Sequence, residues 1–252
     1  MSAESRFTFI ALPKKVSHTL NNKDNQENLL KWGLKSNLNV QFYNFNQEFK
    51  IYDKQDFVDS FFHDPAVRNS LNLFTPVERV EFVTVPCAQV SMRFFDKMKN
   101  EENGIVRCGY LTECLDEFVD GMLLQDNLRQ MMVMEDHAGF NLYDAGEKQE
   151  FIFQLFKHVC LGGAYAQHDL KIGPYLEMTK SLYKELVDVE KILRTNELRV
   201  RSVVMRVVCY AQDHPVMPAE PDHPQNFMYL IVDPFKRQVA VLYHKFGGYV
   251  AP

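Results

Sequence analysis

The sequence predicts an α+β protein in which an antiparallel or mixed sheet packs with helices. Apolar residues recur at steps of three and four within residues 148–163 and 173–190, which predicts a central hairpin of two helices. Residues 227–233 and 238–244 are rich in strand-forming side chains and are separated by a short turn, which predicts a C-terminal β-hairpin. Other strand-like and helix-like runs precede both hairpins, and this mixture defines the class.

The predicted helical hairpin has clear signals at its connection. Gly162 and Gly163 should end the first helix, because glycine tolerates the left-handed backbone found at helix C-termini. Pro174 fits the first turn of the second helix, where its missing N–H is not needed. The apolar face of this second helix is predicted to consist of Tyr175, Leu182, Leu186 and Val189.

The elements before the helical hairpin follow from alternating apolar residues and capping signals. The first predictions are a strand over 6–11, a helix that Asp24 and Glu27 begin as a capping box, and a half-buried strand over 38–45. A helix capped by Asp53 follows and ends at 63–65, and after it come a strand over 79–86 and a helix over 88–98. The last predictions are a short strand over 105–108 and helical segments that contain Cys114, Phe118, Leu124, Leu128 and Met131. The strand over 79–86 is apolar on much of both faces, which predicts an internal position in the sheet. Trp32 is expected to be a core anchor.

The chain is expected to form a single globular domain over residues 1–252, with a possible subdivision near the polar loop 99–104. After the helical hairpin, residues 198–212 predict one long strand. Residues 214–224 are rich in proline, which fixes φ and lacks an N–H, so neither a helix nor a strand ladder is expected there.

Composition excludes several classes of function. The net charge is −5, and no run of Lys and Arg forms a phosphate-binding stripe, so nucleic acid is not an expected partner. No apolar run approaches the roughly 18–20 residues that span a bilayer, and the N-terminus lacks a secretory signal pattern, so no membrane insertion is expected. Five cysteines without a CxxC pair agree with a reducing compartment.

The candidates for chemistry are weak. His214, Asp222 and His223 are the best metal candidates, because imidazole and carboxylate groups can hold iron in a two-His-one-carboxylate site. That site requires a His-x-Asp pair, and the sequence contains none. A solvated loop is therefore favoured, and no cofactor or catalytic residue is expected. Further His and Asp residues that could reinforce the cluster are Asp213, His168, Asp169 and His244.

Three other features of the sequence are candidate sites. His158 and Cys160 lie two apart in a helix and point in different directions, so a core cysteine beside a boundary histidine is expected rather than a catalytic pair. Lys180 and Lys184 belong to the solvent face of the second helix, which could bind a partner. Phe235 lies at the turn between the last two strands, where an apolar tip could anchor an interface or fold back onto the sheet.

A resemblance to a known family rests on several short stretches in a fixed order, which span about residues 7–247. The matching stretches are 56–58 with Phe61 and Phe62, Asp64 with Pro65, 85–87 with 91–92 and 94–95, 156–158 with 160–164, 174–177 with 179–180, 183–184 and 186–187, 231–234, and 241–244. The stretch 156–187 is the most specific. In this combination the chain resembles the cilia- and flagella-associated protein 300 family.

The resemblance implies a non-enzymatic factor of motile cilia that is needed for cytoplasmic preassembly of outer and inner dynein arms and for their delivery. It implies an adaptor in the cytoplasm and at the axoneme of the motile cilium or flagellum. Its implied partners are assembly factors such as kintoun, axonemal dynein chains and the intraflagellar transport machinery. Two alternatives stay open: a metal-dependent oxygenase-like enzyme or its degenerate relative, and a structural subunit of the axoneme.

Overall fold

The computed structural model describes residues 7–246. Its centre is a seven-stranded antiparallel sheet with the order β1-β2-β13-β12-β10, in which β10 also pairs with β11 and, along its other edge, with β3. Three two-stranded ribbons, β4-β5, β6-β7 and β8-β9, lie outside this sheet. The strands are β1 (Phe9–Ala11), β2 (Leu38–Phe45), β3 (Arg79–Val85), β4 (Val106–Arg107), β5 (Tyr110–Leu111), β6 (Glu113–Val119), β7 (Met122–Asp126), β8 (Val189–Lys191), β9 (Leu198–Val200), β10 (Val203–Ala211), β11 (His214–Met217), β12 (Phe227–Asp233) and β13 (Gln238–His244).

Helices cover both faces of the sheet. They are α1 (His18–Asn21), α2 (Lys23–Lys31), α3 (Lys54–His63), α4 (Pro65–Ser70), α5 (Asn127–Val133), α6 (Ala145–Gln149), α7 (Phe151–Leu161) and α8 (Gly173–Leu186). Short 3-10 helices occupy Ile51–Asp53, Met92–Lys99, Glu101–Asn103 and Phe140–Leu142. The predicted α+β class is therefore confirmed.

Strand β12 is buried along its whole length, because successive side chains enter two different cores. Tyr229 and its neighbours of the same parity pack with α7 and α8, and Leu230 and its neighbours pack with α3. The first core also joins residues from both sides of the loop 99–104, including Met98 and Ile105. Division of the chain near that loop stays a prediction.

The predicted helical hairpin is confirmed by α7 and α8, which pack against each other. The first helix is shorter than predicted, because Glu150 adopts an extended ψ of 134° and separates α6 from α7. Pro174 lies in the first turn of α8 as expected. Val189 was wrongly placed on the buried face of this helix: α8 ends at Leu186, and Val189 is an exposed residue of β8.

The glycines after α7 allow two backbone segments to cross in direct contact. Gly163 donates its N–H to the carbonyl of Trp32 at 2.8 Å. A Cβ atom on Gly163 would lie 2.1 Å from the carbonyl oxygen of Gly33, and one on Gly162 would lie 2.5 Å from that of Trp32. Gly162 has φ +67° and ψ −156°, a conformation that only glycine adopts readily, and it ends α7 as predicted.

Trp32 forms part of the core beside this crossing, in agreement with its predicted role. It is fully buried, its ring stacks on Tyr175 at 4.5 Å, and its Nε1 donates to the Asp169 carboxylate at 2.8 Å. The preceding helix is capped by Asn22 and not by Asp24, so the predicted capping box was misplaced by two residues. Helix α2 therefore begins earlier than the sequence pattern indicated.

Several predictions for the first half need correction. Asp53 occupies the N-cap position of α3, which ends at His63 as predicted, but its carboxylate makes no capping hydrogen bond to that helix and accepts from the N–H of Lys50. The strand β3 lies at an edge of the sheet, not inside it, and Val83 is 70% exposed. The predicted helix over 88–98 is a 3-10 helix, Met92–Lys99. The predicted strand over 6–11 is β1, and residue 6 lies outside the described residues.

Residues 113–126 form the hairpin β6-β7, so the helical prediction for Cys114, Phe118 and Leu124 was wrong, and only Leu128 and Met131 are helical. The reason is the turn Asp120-Gly121, whose φ angles are +48° and +78°. Two residues with positive φ form the tight turn that matches the twist of two antiparallel strands.

The C-terminal prediction was largely right. The strands β12 and β13 have the predicted bounds. The long strand predicted over 198–212 divides into β9 and β10. Within the proline-rich segment, His214–Met217 pairs with β10 as β11, so the exclusion of a ladder there was wrong. Pro215 is accommodated because an edge strand does not need every N–H for pairing.

Candidate interaction surface

The three metal candidates have separate environments. His214 is exposed on β11, and Asp222 lies in a groove beside β3 and β10. His223 accepts a hydrogen bond at Nδ1 from the N–H of Gln225 (3.2 Å) and donates one from Nε2 to the carbonyl of Asp120 (2.9 Å), so both ring nitrogens are occupied. Across residues 7–246, no group of three His, Cys, Asp or Glu side chains is placed to hold a metal ion.

Of the remaining histidines of that predicted cluster, His244 is buried and His168 is half-buried. His244 donates from Nδ1 to the carbonyl of Gln225, and burial lowers its pKa. Burial also lowers the pKa of His168 to about 3, and the nearby Arg129 adds to the effect. Asp169 accepts from the indole of Trp32. His168 and His244 are therefore uncharged near neutral pH.

His158 and Cys160 are both interior residues. His158 is 5% exposed, so its predicted boundary position was wrong. Its ring stacks on Phe227 at 3.7 Å and its Nε2 lies 2.9 Å from the hydroxyl of Tyr229. Burial lowers the pKa of His158 and raises that of the Cys160 thiol. A protonated thiol is a poor nucleophile, which agrees with the expected core role of Cys160.

The two lysines predicted as partner contacts lie on α8. Lys180 forms an ion pair with Glu177 one turn earlier, with 3.1 Å between Nζ and the carboxylate. Lys184 is exposed. Neither residue contacts Phe235, so the structure does not unite the predicted partner-binding residues into one surface. Binding through Lys180 or Lys184 stays a prediction.

Phe235 projects from the turn between β12 and β13 and is 76% exposed. The Asp233 carboxylate accepts hydrogen bonds from the N–H groups of Phe235 and Lys236, both at 3.0 Å, which fixes the turn. Arg237 then adopts a left-handed φ of +48°. The ring therefore points outward and does not fold back onto the sheet.

Charged side chains lie against one face of the Phe235 ring and are linked to one another. The Arg201 guanidinium lies 4.5 Å from the centroid of Phe235, within the range of a cation–π contact. Asp188 accepts from Nε of Arg201 at 2.7 Å and also binds Lys236. Burial alone would raise the pKa of Asp188, but the hydrogen bonds from Lys236 and Arg201 outweigh it and hold this pKa below its ordinary value. The hydrogen bond to Asp188, and then that to Asp233, raise the pKa of Lys236.

This arrangement has the chemistry of a protein-binding surface. The Phe235 surface consists of the exposed ring, Arg201 beneath it, and the exposed Lys236 and Arg237 beside it. Aromatic and Arg side chains dominate the binding energy of protein interfaces, and a fixed anchor loses little entropy when it binds. Arg201 and Asp188 were missed from the sequence, since both lie far from Phe235 along the chain.

Fold and surface together define a class: an α+β protein whose candidate site is suited to contact with another protein. The family model described as Cilia- and flagella-associated protein 300 matches residues 6–244. The chain therefore belongs to the cilia- and flagella-associated protein 300 family. No solved structure is significantly similar to it.

Two relatives illustrate the match. The Cilia- and flagella-associated protein 300 of Chlamydomonas reinhardtii is 29% identical over 255 aligned residues, which cover 96% of this chain and 98% of the relative. The protein of the same name from Paramecium tetraurelia is 30% identical over 228 residues, with 88% of each chain covered. The family associates this chain with cilia and flagella and is not named as a family of enzymes. None of the helices within residues 7–246 is long and apolar enough to cross a membrane.

Proposed function

We propose that this chain is an adaptor for the assembly and transport of ciliary dynein arms. It binds assembly factors such as kintoun, axonemal dynein chains or the intraflagellar transport machinery, and it acts by binding and not by catalysis. It works in the cytoplasm, where outer and inner arms are preassembled, and accompanies them to the axoneme. Membership of the ciliary family supports this function.

The observation that carries the binding step is the Phe235 surface. Its exposed ring rests on Arg201, and Arg201 is fixed by Asp188. Complete burial of a Phe side chain contributes about 1.5–3 kcal/mol. Loss of the ring should therefore weaken a partner complex roughly ten- to hundredfold, because each 1.4 kcal/mol changes an equilibrium constant tenfold.

The first experiment compares partner recovery between two matched variants. Tagged wild-type chain, Phe235→Ala and Phe74→Ala are purified from the cytosol of ciliating cells, and bound proteins are quantified by mass spectrometry. Phe74 is a matched control because it is 78% exposed and lies in a loop elsewhere on the molecule. We expect dynein chains and assembly factors with the wild type and the control, and severalfold less with Phe235→Ala. Equal recovery with all three would remove Phe235 from the binding site.

The second experiment tests the function in the cell. Deletion of the protein should deplete both outer and inner dynein arms from axonemes, and the wild-type sequence should restore them. Axonemes with normal arms after clean deletion would contradict the proposal. Salt extraction of axonemes separates the adaptor from the alternative of a structural subunit, since an adaptor should be released readily.

A further inference from the structure

The hairpin β6-β7 presents an uncovered face and edge to solvent. Phe118 lies opposite Leu123 in the register, and these residues are 71% and 43% exposed. Leu115 on the same strand is 87% exposed. Strand β6 pairs with β7 alone among the described strands, so its outer edge has no neighbouring strand. The pairing with β7 shifts register between Glu113 and Glu117, and after that shift Phe118 lies beside an edge that no described strand covers.

The hairpin is fixed to the rest of the molecule at both ends. Its inner face packs Met122 and Leu124 against Leu161 at the end of α7. The Gln130 side-chain amide donates to the carbonyls of Leu115 (2.6 Å) and Leu124 (3.2 Å). At the tip, His223 donates to the carbonyl of Asp120. The part of β6 after the register shift, residues 117–119, is therefore held in place before a partner binds, which reduces the entropy lost on binding.

All the charged side chains of this hairpin are acidic. Residues 113–126 contain no Lys or Arg. The buried Asp126 is paired with Arg129, which leaves four exposed acidic side chains on the hairpin. They are Glu113, Asp116, Glu117 and Asp120. A complementary partner must therefore be basic, since opposite charges across neighbouring strands attract and like charges repel.

We propose that the outer edge of β6 binds an extended, basic segment of a partner protein, which adds as a third strand to the β6-β7 ribbon. Backbone hydrogen bonds to the free edge supply affinity, and alternate side chains supply specificity. An apolar residue of the segment packs beside Phe118, and on the opposite face of the ribbon a Lys or Arg residue lies beside Glu117. The partner is thus recognised as a segment in which basic and apolar residues alternate.

This site is separate from the Phe235 surface. The hairpin tip contacts His223, which lies shortly before β12. The ring of His223 stacks on that of Phe246, which follows β13. Phe235 lies at the opposite end of these two seven-residue strands. At about 3.3 Å per residue, the length of these strands separates the hairpin tip from Phe235 by roughly 20 Å. The inference therefore goes beyond the proposed function and does not depend on it.

The test uses the full chain and defined peptides. The probe is a fluorescent peptide of about ten residues in which Lys and Val alternate, with one twin in which Glu replaces Lys and another in which Pro replaces two central Val residues. Fluorescence anisotropy should detect binding of the Lys/Val peptide only, and added salt should weaken it. Chemical-shift changes of backbone amides in labelled protein should cluster on residues 113–126.

Matched variants locate the site. The double charge reversal Asp116→Lys with Glu117→Lys should weaken peptide binding by about tenfold or more. The control, Glu27→Lys with Glu102→Lys, makes the same change in net charge at exposed residues elsewhere and should leave binding unchanged. Phe118→Ser provides a second variant if the charge reversal does not fold, and it should also weaken binding severalfold.

Three outcomes would overturn the proposal. They are the absence of binding to the wild-type chain, equal binding by the hairpin variants and the control, and equal binding of the peptide that contains Pro. Self-association of the chain through residues 113–126, detected by sedimentation, would show instead that the edge is covered by a second copy.

Discussion

Replacement of Gly163 by alanine should destabilise the protein more than any other conservative glycine change at the crossing of α7 and the segment after α2. The new Cβ would lie 2.1 Å from the carbonyl oxygen of Gly33, and both partners of this contact are backbone. The crossing must therefore open, which breaks the buried hydrogen bond from Gly163 to Trp32. Overpacking costs about 1–3 kcal/mol, and an unsatisfied buried polar group costs about 1–3 kcal/mol. The expected loss is about 2–6 kcal/mol.

Alanine variants at two other glycines distinguish the cost of the steric clash from the cost of backbone strain. Gly104 has φ +68° and no atom within 4 Å of an added Cβ, so Gly104→Ala should cost only about 1–2 kcal/mol from the left-handed conformation. Gly173 lies at the start of α8 with ordinary φ and open space, so Gly173→Ala should be neutral or should stabilise the helix by up to about 1 kcal/mol.

Urea unfolding of the three variants measures these free energies. Trp32 is the only tryptophan and is fully buried, so its fluorescence reports loss of the core, and circular dichroism provides a second probe. The reasoning is refuted if Gly163→Ala lowers the free energy of unfolding by less than about 1 kcal/mol, or by no more than Gly104→Ala does.

Two further predictions concern buried charge. Arg129 is fully buried, pairs with Asp126, and donates to Tyr175 and to the carbonyl of Cys160. Arg129→Met should therefore lower the free energy of unfolding in urea by about 3–5 kcal/mol. The control is Arg107→Met at an exposed position, which should change this free energy little. Burial lowers the pKa of His158, His168 and His244, so below pH 6.5 the unfolded chain binds more protons than the folded one. Stability should therefore fall by about 1 kcal/mol for each of His158 and His168 between about pH 7 and 5.5, and His244 should add to the fall in the same direction. An unfolding free energy that is constant over this range would contradict the neutral buried state.

The sequence predicts best where one signal dominates. The strands β12 and β13 were predicted with their observed bounds, because strand-forming residues run without interruption on both sides of a turn. The exposure of Phe235 followed from its place in that turn. The edge position of β3 could not be read from its sequence, because apolar residues on both faces fit an internal strand as well as an edge strand that packs on one face.

The errors also have physical causes. The turn at Asp120-Gly121 is a strong hairpin signal, and the helical interpretation of residues 113–126 gave more weight to apolar spacing than to that turn. The support beneath Phe235 depends on sheet register: Asp188 and Arg201 meet because β8 and β9 pair, and Lys236 joins them only after β12 and β13 have formed. No local pattern in the sequence carries that information.

The order of strands in the large sheet also determines when the chain can fold during synthesis. Strand β2, which forms early in the sequence, pairs with β1 and with β13. Until residues 238–244 leave the ribosome, β1 and β2 cannot pair with the rest of the sheet, because only β13 joins them to it. The aromatic residues that they bury then remain accessible to chaperones. A premature stop before β13 therefore removes the strand that joins both halves of the sheet, and we expect degradation of the whole chain rather than a shortened protein with a local defect.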